Sequence, residues 1–537
     1  MQQEGQTRLS TLWPEALASL VLLGAVFWLI QAITAPLGGK FIYCLDDAYI
    51  HMAIAKNLAL HGVWGVTPYE FASASSSPLW ILILALSNRL LGVGEWAPLV
   101  LNAICAVAAL FVAASAWRRQ RVSQPATLLL LLALLVLIPL PVMTMVGMEH
   151  TLHILLVLLW AGVLARVLSS DTITRSDAVA LGVLAPLLTI ARFESLFLVF
   201  VSCAVLFFRR QRLLAVVVGL CGLSSVAAFA GYSLAHGWHA LPNSVLVKAA
   251  RADWRSASGV LMALGGRCCV MLVQAWRLAV LLGLAVAAYV WLGARARVSR
   301  LSGTRGMLLV FAGTLLLHLQ LAQVGWFYRY EAYLIALGLF VLGLMAAPQP
   351  DAATSPVSLP RWVLAAGAAT LVLTFGARSL RALQSTPAAA KNIHDQQWQM
   401  ARFLGAALGS ETIAANDIGA IAFQTDTHIV DLLGLANLDT ARIVMSGGYT
   451  EAGLERLAKG HHVALAVIYE TPFRAAIPKS WQLMGQWKTP APIVMLPSNV
   501  VSFYTVDAAK APALRQAFAT FSKEALPGDV AVWLPSK

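Results

Sequence analysis

The stretch CLDDAYIHMAIAKNLALHGVWG, residues 44–65, follows an apolar run at 15–36 and opens with two adjacent carboxylates, Asp46 and Asp47. About 20 apolar residues cross a bilayer core, and a charge is costly near hydrocarbon. The aspartates therefore mark the point where the chain leaves lipid for water. Composition agrees with a polytopic membrane protein: 59% of the 537 residues are hydrophobic and 12% are charged, against roughly 25% charged in a soluble domain. No small-residue cleavage site closes the first run, so it reads as a retained helix rather than a signal peptide.

The formal charge of +13 suits a nucleic-acid partner in magnitude but not in placement, and no nucleic acid is expected. The arginines cluster between apolar runs, as RRQR at 118–121 and 209–212 and RARVSR at 295–300, which is how cytoplasmic loops look. Six cysteines lie in or beside apolar segments without metal-ligand spacing, so a disulfide framework is not expected. Eleven segments read as crossings: 15–36, 94–117, 126–146, 150–168, 177–191, 193–208, 213–235, 272–294, 306–324, 330–347 and 361–380.

The segment PLWILILALSNRLLG, residues 78–92, decides the sidedness, because its apolar stretch is short and Arg89 follows. Were it to cross, every later basic cluster would invert. Laid at the interface or re-entrant, it leaves the N-terminus and all three basic clusters in the cytoplasm. A first outer loop, 37–93, then carries Asp46–Asp47. GMEH (147–150), RFE (192–194), HALPNSVLVKAAR (239–251) and WFYRYE (326–331) share its surface. Lys248, Arg251 and Arg255 also fall outside, in a longer loop where charge constrains topology less.

Beyond residue 384 no run is long enough to cross. Strand-like pieces at 411–423, 427–435, 461–470 and 500–506 alternate with helical patterns at 392–408 and 449–459. The fold expected is a transmembrane helical domain, 1–384, with a small soluble α/β domain, 385–537, on the outer side of the membrane.

Helix capping accounts for one of the two aspartates. The functional alternative makes one a general base and the other its orienting neighbour, since adjacent carboxylates raise each other's proton affinity. In a helix over 46–60, Asp47 and His51 lie one turn apart on one face. The hydroxyl run Ser73, Ser75, Ser76 and Ser77 suits a turn, or hydrogen bonds to phosphate or sugar. Glu149 and His150 stand at a membrane boundary, where Glu149 also suits a helix cap. Arg192 and Glu194 occupy a sharp turn, and Arg329 sits between tyrosines with Tyr330 and Glu331 beside it. Arg and Lys bind phosphate oxygens, Arg as a planar fork and Lys as a point charge, which adds Lys248 to Arg192 and Arg329. Gathered at one bilayer surface, these groups suit a lipid-tailed sugar phosphate, with a base for an acceptor hydroxyl and cations for the departing phosphate. The aspartate pair also offers hard oxygen ligands to a divalent cation, although too few carboxylates adjoin it in sequence to define a metal site.

In DDAYIHMAIAKNLALHGVWGVTPYEFASASSSPLW the chain resembles the first outer loop of the GT-C glycosyltransferases, specifically the branch of the mycobacterial terminal arabinofuranosyltransferases. The matching pieces are Asp46 to Ile50, Lys56–Asn57–Leu58 and Ser77 to Trp80. Echoes follow in GMEHTLH, ARFESL, LPNSVLVK (which brings in Asn243) and FYRYEAYL, and in NDIGAIAFQTDTHIVDLLGLAN at 416–437. The departures are Arg-Phe-Glu for Arg-Pro-Glu, His150 for Thr, and Glu331 where a small or apolar residue is usual. The resemblance implies a polyprenyl-phosphoryl sugar donor, with a pentose such as arabinofuranose favoured, and inverting transfer. It implies a catalytic aspartate at Asp46, or nearly equally Asp47, and an acceptor that is a glycan, a lipid-linked glycan or a protein. A lipid-sugar flippase and a diphosphate-lipid glycan ligase are the competing classes. The ends of the apolar runs, rather than their middles, carry most of the charge, which disfavours transport. A topology reporter fused after Ala388 should read extracytoplasmic; a cytoplasmic signal would overturn the sidedness.

Overall fold

Apolar runs that open with proline in the first turn and close on arginine or glycine become helices, as the backbone chemistry of helix ends requires. The computed structural model describes residues 12–249, 265–266, 269, 273–295, 303–347, 361–409 and 411–535. In chain order the helices are α1 (Trp13–Thr34), α2 (Asp46–His61), α3 (Pro78–Leu91), α4 (Ala97–Arg119), α5 (Gln124–Leu137), α6 (Leu140–Met145) and α7 (His150–Ser169). Then come α8 (Arg175–Ala191), α9 (Ser195–Phe208), α10 (Arg212–Ala235), α11 (Asn243–Ala249), α12 (Trp276–Arg295), α13 (Gly303–Leu321) and α14 (Ala332–Leu344).

Six described helices are long and apolar enough to span a membrane, and shorter apolar helices include α3, α5, α9 and the one beginning at Ala332. The segment expected at 126–146 is not one helix. It breaks at Pro139, whose φ is 27°, into α5 and α6, because proline cannot donate to the helical ladder and its ring clashes with the preceding turn. Segment 78–92 is a 14-residue helix that exposes Leu82, Leu86 and Leu90, an i, i+4, i+8 ridge.

Ion pairs and hydrogen bonds gather the basic clusters 118–121 and 209–212 at one end of the bundle, while the side chains of 295–300 lie outside the described residues. Arg118 pairs with the buried Glu15 of α1. Arg166 of α7 pairs with Asp177 of α8 at 2.7 Å, and Arg209 donates to the Leu168 carbonyl. The opposite end carries α2, α3, α11 and the loops that lead into α7, α9 and α14.

From residue 361 the chain runs helically through α15 (Arg361–Leu371), a π-turn (Val372–Gly376), α16 (Ala377–Ile393), a second π-turn (His394–Trp398) and α17 (Gln399–Ala407). It then enters a six-stranded sheet ordered β2-β1-β3-β5-β4-β6. The strands are β1 (Thr412–Ala415), β2 (Ile429–Asp431), β3 (Val463–Ile468), β4 (Gln482–Lys488), β5 (Val500–Thr505) and β6 (Ala531–Trp533). The β2-β1-β3 half is parallel and the β3-β5-β4-β6 half antiparallel. Helices α18 (Gly419–Gln424), α19 (Leu438–Met445), α20 (Glu451–Gly460) and α21 (Ala511–Glu524) complete this part. Phe403 of α17 meets Trp487, Phe503 and Phe518 in an aromatic core. The strand read over 411–423 is therefore a four-residue strand followed by α18.

Helix α18 is held by α2 at both ends. The Asp46 carboxylate accepts the N–H groups of Gly419 (2.7 Å) and Ala420 (2.8 Å) at its start. Lys56 Nζ donates to the carbonyls of Ala422 (3.3 Å) and Phe423 (3.1 Å) at its finish. The Asp46 carboxyl thereby satisfies two N–H groups that the helix start leaves open, and the positive charge of Lys56 at the C-terminus stabilises the helix. Tyr49, between them in sequence, packs on Phe423 and Trp398. The approach is so close that a Cβ on Gly419 would lie 2.1 Å from the Asp46 carbonyl oxygen. Gly419→Ala should therefore unseat α18. The expected readout is faster amide exchange across residues 419–424 and a lower Tm, and an unchanged exchange pattern would contradict this packing.

Candidate active site

At the end of the bundle away from the arginine clusters lies a cavity of about 320 Å³. Its polar lining includes Asp47, His51, Ser76, Arg192, Glu194 and Arg329, with Tyr330, Ser244 and Gln323 beside them. Phe193, Leu196, Phe197, Leu241, Leu321 and Leu435 supply much of its apolar lining. Three separate stretches of the chain, α2, the RFE turn and WFYRYE, thus deliver the charged lining groups, all of which sequence reading placed on one surface.

Each group is positioned by a local feature of the sequence. Asp47 and His51, one turn apart on α2, both face the cavity. Glu149 precedes α7 without capping it. Its Oε1 pairs with Arg192, while its Oε2 lies 3.5 Å from His51 Nδ1 without a hydrogen bond between them. Arg192 also pairs with Glu194 at 2.7 Å, so the RFE turn presents a cation clamped between two carboxylates. His51 Nε2 reaches Ser75 Oγ at 3.2 Å. Arg329 pairs with Asp47 and bonds the Tyr330 hydroxyl at 3.3 Å. Gly147, at φ 73°, lets the GMEH loop turn against the Tyr43 ring, where a Cβ would stand 2.6 Å away. The indole of Trp80, from the SSSPLW stretch, donates to the Gly147 carbonyl at 3.3 Å.

Arg192 and Arg329 are each only 3% exposed. Burying such charges is costly unless they are paired and hydrogen-bonded. Even so, Glu194 Oε2, Arg329 Nε and Ser244 Oγ find no hydrogen-bond partner among the described residues, although all three residues line the cavity. Unpaired buried polar atoms around a void suit a polar ligand. No group of three or more His, Cys, Asp or Glu with metal-holding geometry occurs among the described residues.

Other residues read from the sequence sit behind the cavity or face elsewhere. Asp46 points to the N-terminus of α18 rather than to Asp47's cavity. His150 is buried in the first turn of α7, 4.0 Å from Glu149. Ser77 is buried, its N–H donating to Ser75 Oγ at 3.0 Å. Asn243 joins two loops, its N–H donating to the Ser73 carbonyl and its Nδ2 to the Gly434 carbonyl, each at 3.0 Å. Glu331 turns away to Arg378. The side chain of Lys248, with Arg251 and Arg255, lies outside the described residues. Sequence reading did not single out Ser244, Met148 or Leu435 in the lining, nor Asp417 and Arg378 behind it. For Ser244 the adjacency to Asn243 was an available signal; for Asp417 and Arg378 their partners are too far along the chain.

This arrangement of membrane-type helices, a long looped segment after the first of them and a C-terminal α/β sheet is similar in fold to solved membrane proteins. The crystal structure of ArnT from Cupriavidus metallidurans bound to undecaprenyl phosphate is similar, with TM-score 0.55 and 14% identity, over 92% of this chain and 98% of that one. The apo oligosaccharyltransferase of Archaeoglobus fulgidus gives TM-score 0.50 and 11% identity, over 97% and 76%. Arabinofuranosyltransferase AftD from mycobacteria gives TM-score 0.43 and 17% identity, over 92% of this chain and 41% of that one. Residues 391–506 match a family model described as a domain of unknown function (DUF8728). No curated protein matches the sequence.

The electrostatics of the two aspartates differ because their surroundings differ. Asp46 shares a crowded interface with Asp417, whose Oδ2 accepts from Gln397 (2.7 Å) and from Tyr469 (2.9 Å). Burial first, and then the Asp417 charge, push the Asp46 carboxyl up to about 8, against the two N–H groups of α18. Burial also pushes the His51 imidazole down, against the pull of Glu149. An unfolded aspartate titrates near 3.9, so the docked form holds a proton that the released form gives up. Its contribution to docking is complete below about pH 4 and is lost as pH rises toward about 8. Amide exchange across 419–424 should therefore quicken between pH 6 and pH 8.5 beyond the intrinsic chemical rate, and Asp46→Asn should flatten that excess.

Proposed function

We propose that the protein is an inverting glycosyltransferase of the bacterial inner membrane, moving a sugar from a polyprenyl-phosphate donor to an extracytoplasmic acceptor, with Asp47 as the general base. The observation that carries this is a cavity where a carboxylate, two buried guanidinium groups and an apolar wall meet. In this reading Asp47 takes the proton of the acceptor hydroxyl and the freed oxygen attacks the anomeric carbon. The bond to phosphate breaks on the opposite face. Arg329 and Arg192 then bear the charge that gathers on the departing polyprenyl phosphate. Phe193, Leu196, Phe197 and Leu321 receive the first isoprene units, and His51, Ser76, Glu194, Ser244 and Tyr330 meet the sugar. ArnT's capture of undecaprenyl phosphate on a similar fold supports the lipid-phosphate donor. The first-loop motif supports a pentose and the arabinofuranosyl branch. The acceptor is a glycan, a lipid-linked glycan or a protein.

The same reading carries about eleven crossings, a cytoplasmic N-terminus, a transmembrane unit over 1–384 and an extracytoplasmic unit over 385–537 that screens the acceptor. Support for the sidedness comes from the gathering of RRQR 118–121 and RRQR 209–212 at the end of the bundle away from Asp47.

Of the two aspartates the geometry favours Asp47, because it lines the cavity while Asp46 is engaged with α18. With radiolabelled polyprenyl-phosphoryl pentose and hexose donors, Asp47→Asn should lower transfer by about 10²–10⁴-fold, the usual worth of a general base. Asp46→Asn, still able to accept an N–H, should keep most of it. Full transfer by Asp47→Asn would remove the base assignment, and lipid-sugar binding without transfer to any acceptor would favour transport.

A further inference from the structure

Immediately before Arg329 the backbone does something that L-amino acids resist. Gly325, Trp326, Phe327 and Tyr328 have φ values of 83°, 45°, 56° and 64°, a full left-handed turn in which three of the four residues carry a Cβ. Such conformations persist only where surrounding contacts over-determine them, and they concentrate at functional sites. Here one buried ion pair provides those contacts. Glu331 Oε2 accepts the Gly325 N–H at 2.9 Å, closing the turn from its start. Glu331 Oε1 pairs with Arg378 Nη2 at 2.6 Å, and Arg378 Nη2 reaches the Tyr328 carbonyl at 3.3 Å, gripping the turn's end. The Arg378 guanidinium also lies 4.6 Å from the centre of the Tyr328 ring. Both Glu331 and Arg378 are only 5% exposed.

Arg378 itself emerges from a second uncommon backbone feature. It follows the π-turn Val372–Gly376, and its guanidinium lies 5.9 Å from the ring of Phe375 within that turn. A π-turn adds a residue to a helical repeat and so re-aims the side chains that follow; such turns are frequent at functional sites. Two rare backbone conformations, far apart in sequence, therefore meet on one salt bridge that does not line the cavity. The residue that emerges from the left-handed turn is Arg329, which does line it and pairs with Asp47.

We propose that Glu331 and Arg378 are positioning residues that hold the left-handed turn 325–328 and thereby aim Arg329 at the donor phosphate. This rests on the reading of Arg329 as a phosphate ligand. Glu331 then acts from behind the site rather than on the substrate. Its acidity, a departure from the apolar or small residue usual at that place in the related branch, goes with the arginine it faces. Because the pair acts through Arg329, its loss should matter only where Arg329 is present.

A mutant cycle on the full-length, detergent-solubilised protein tests this, with undecaprenyl phosphate as the probe and Kd and Tm as readouts. Arg329→Gln should weaken binding. Arg378→Ala should raise Kd about tenfold, as loss of a supporting partner behind a ligand commonly does, and Arg378→Lys should recover part of that loss. In the Arg329→Gln background, Arg378→Ala should leave Kd unchanged, a non-additivity expected of residues that act in series. If Arg378→Ala does not fold, Arg378→Lys and Glu331→Gln run the same cycle. An additive effect, or a Kd untouched by the Arg378 and Glu331 variants while Arg329→Gln still weakens binding, would overturn the positioning role alone. A Kd unchanged in Arg329→Gln would overturn the phosphate reading beneath it.

Discussion

Successive residues on an α-helix point about 100° apart, and this constraint governs what α2 can do. Asp46 and Asp47 are neighbours in sequence but cannot address the same target from α2. One turns to the sheet domain and caps α18; the other turns to the cavity and pairs with Arg329. Lys56, nearly three turns further along, holds the far end of α18. The same helix thus anchors the C-terminal sheet domain and presents the carboxylate that lines the cavity. The orientation of that carboxylate depends on how the sheet domain docks.

The charges around the cavity are poor stabilisers in themselves. Breaking a buried ion pair by removing one partner costs about 3–5 kcal/mol, yet replacing the whole pair with apolar side chains is often neutral or favourable. A chain selected only for a stable bundle would gain little from the Glu149–Arg192–Glu194 group, which leaves Glu194 Oε2 unbonded among the described residues. Such a group is better explained by a ligand that enters beside it. The same logic separates it from Arg118–Glu15 and Arg166–Asp177, which tie helix ends together away from the cavity.

Much of the site was legible because its signals are local. The apolar runs gave the helices, arginine clusters gave one end of the bundle, and i, i+4 spacing put Asp47 and His51 on one face. The rest depends on partners distant in sequence. Nothing near Asp46 announces that Gly419 and Ala420 will occupy its carboxylate, and Glu331 looks like a substrate contact until Arg378 comes round to meet it. The sheet suffered similarly: β4 mixes Gln482, Gly485, Gln486 and Lys488 with apolar residues, and β6 is a three-residue edge with Trp533 exposed. Neither shows the alternation that marks a half-buried strand. Pro139 could be seen in the sequence, but the length and hydropathy of 126–146 outweighed it.

One lining residue comes from outside the membrane bundle. Leu435 belongs to the loop DLLGLAN, residues 431–437. The Asp431 carboxylate fastens that loop by accepting the N–H groups of Leu433, Leu435 and Ala436, and Asn243, the first residue of α11, secures it by donating from Nδ2 to the Gly434 carbonyl. Replacing Leu435 would reshape the chamber without touching Asp47, Arg192 or Arg329. Shape and charge are thus written in separate parts of the chain, which makes this loop a mould set against a separately anchored cluster of charged groups.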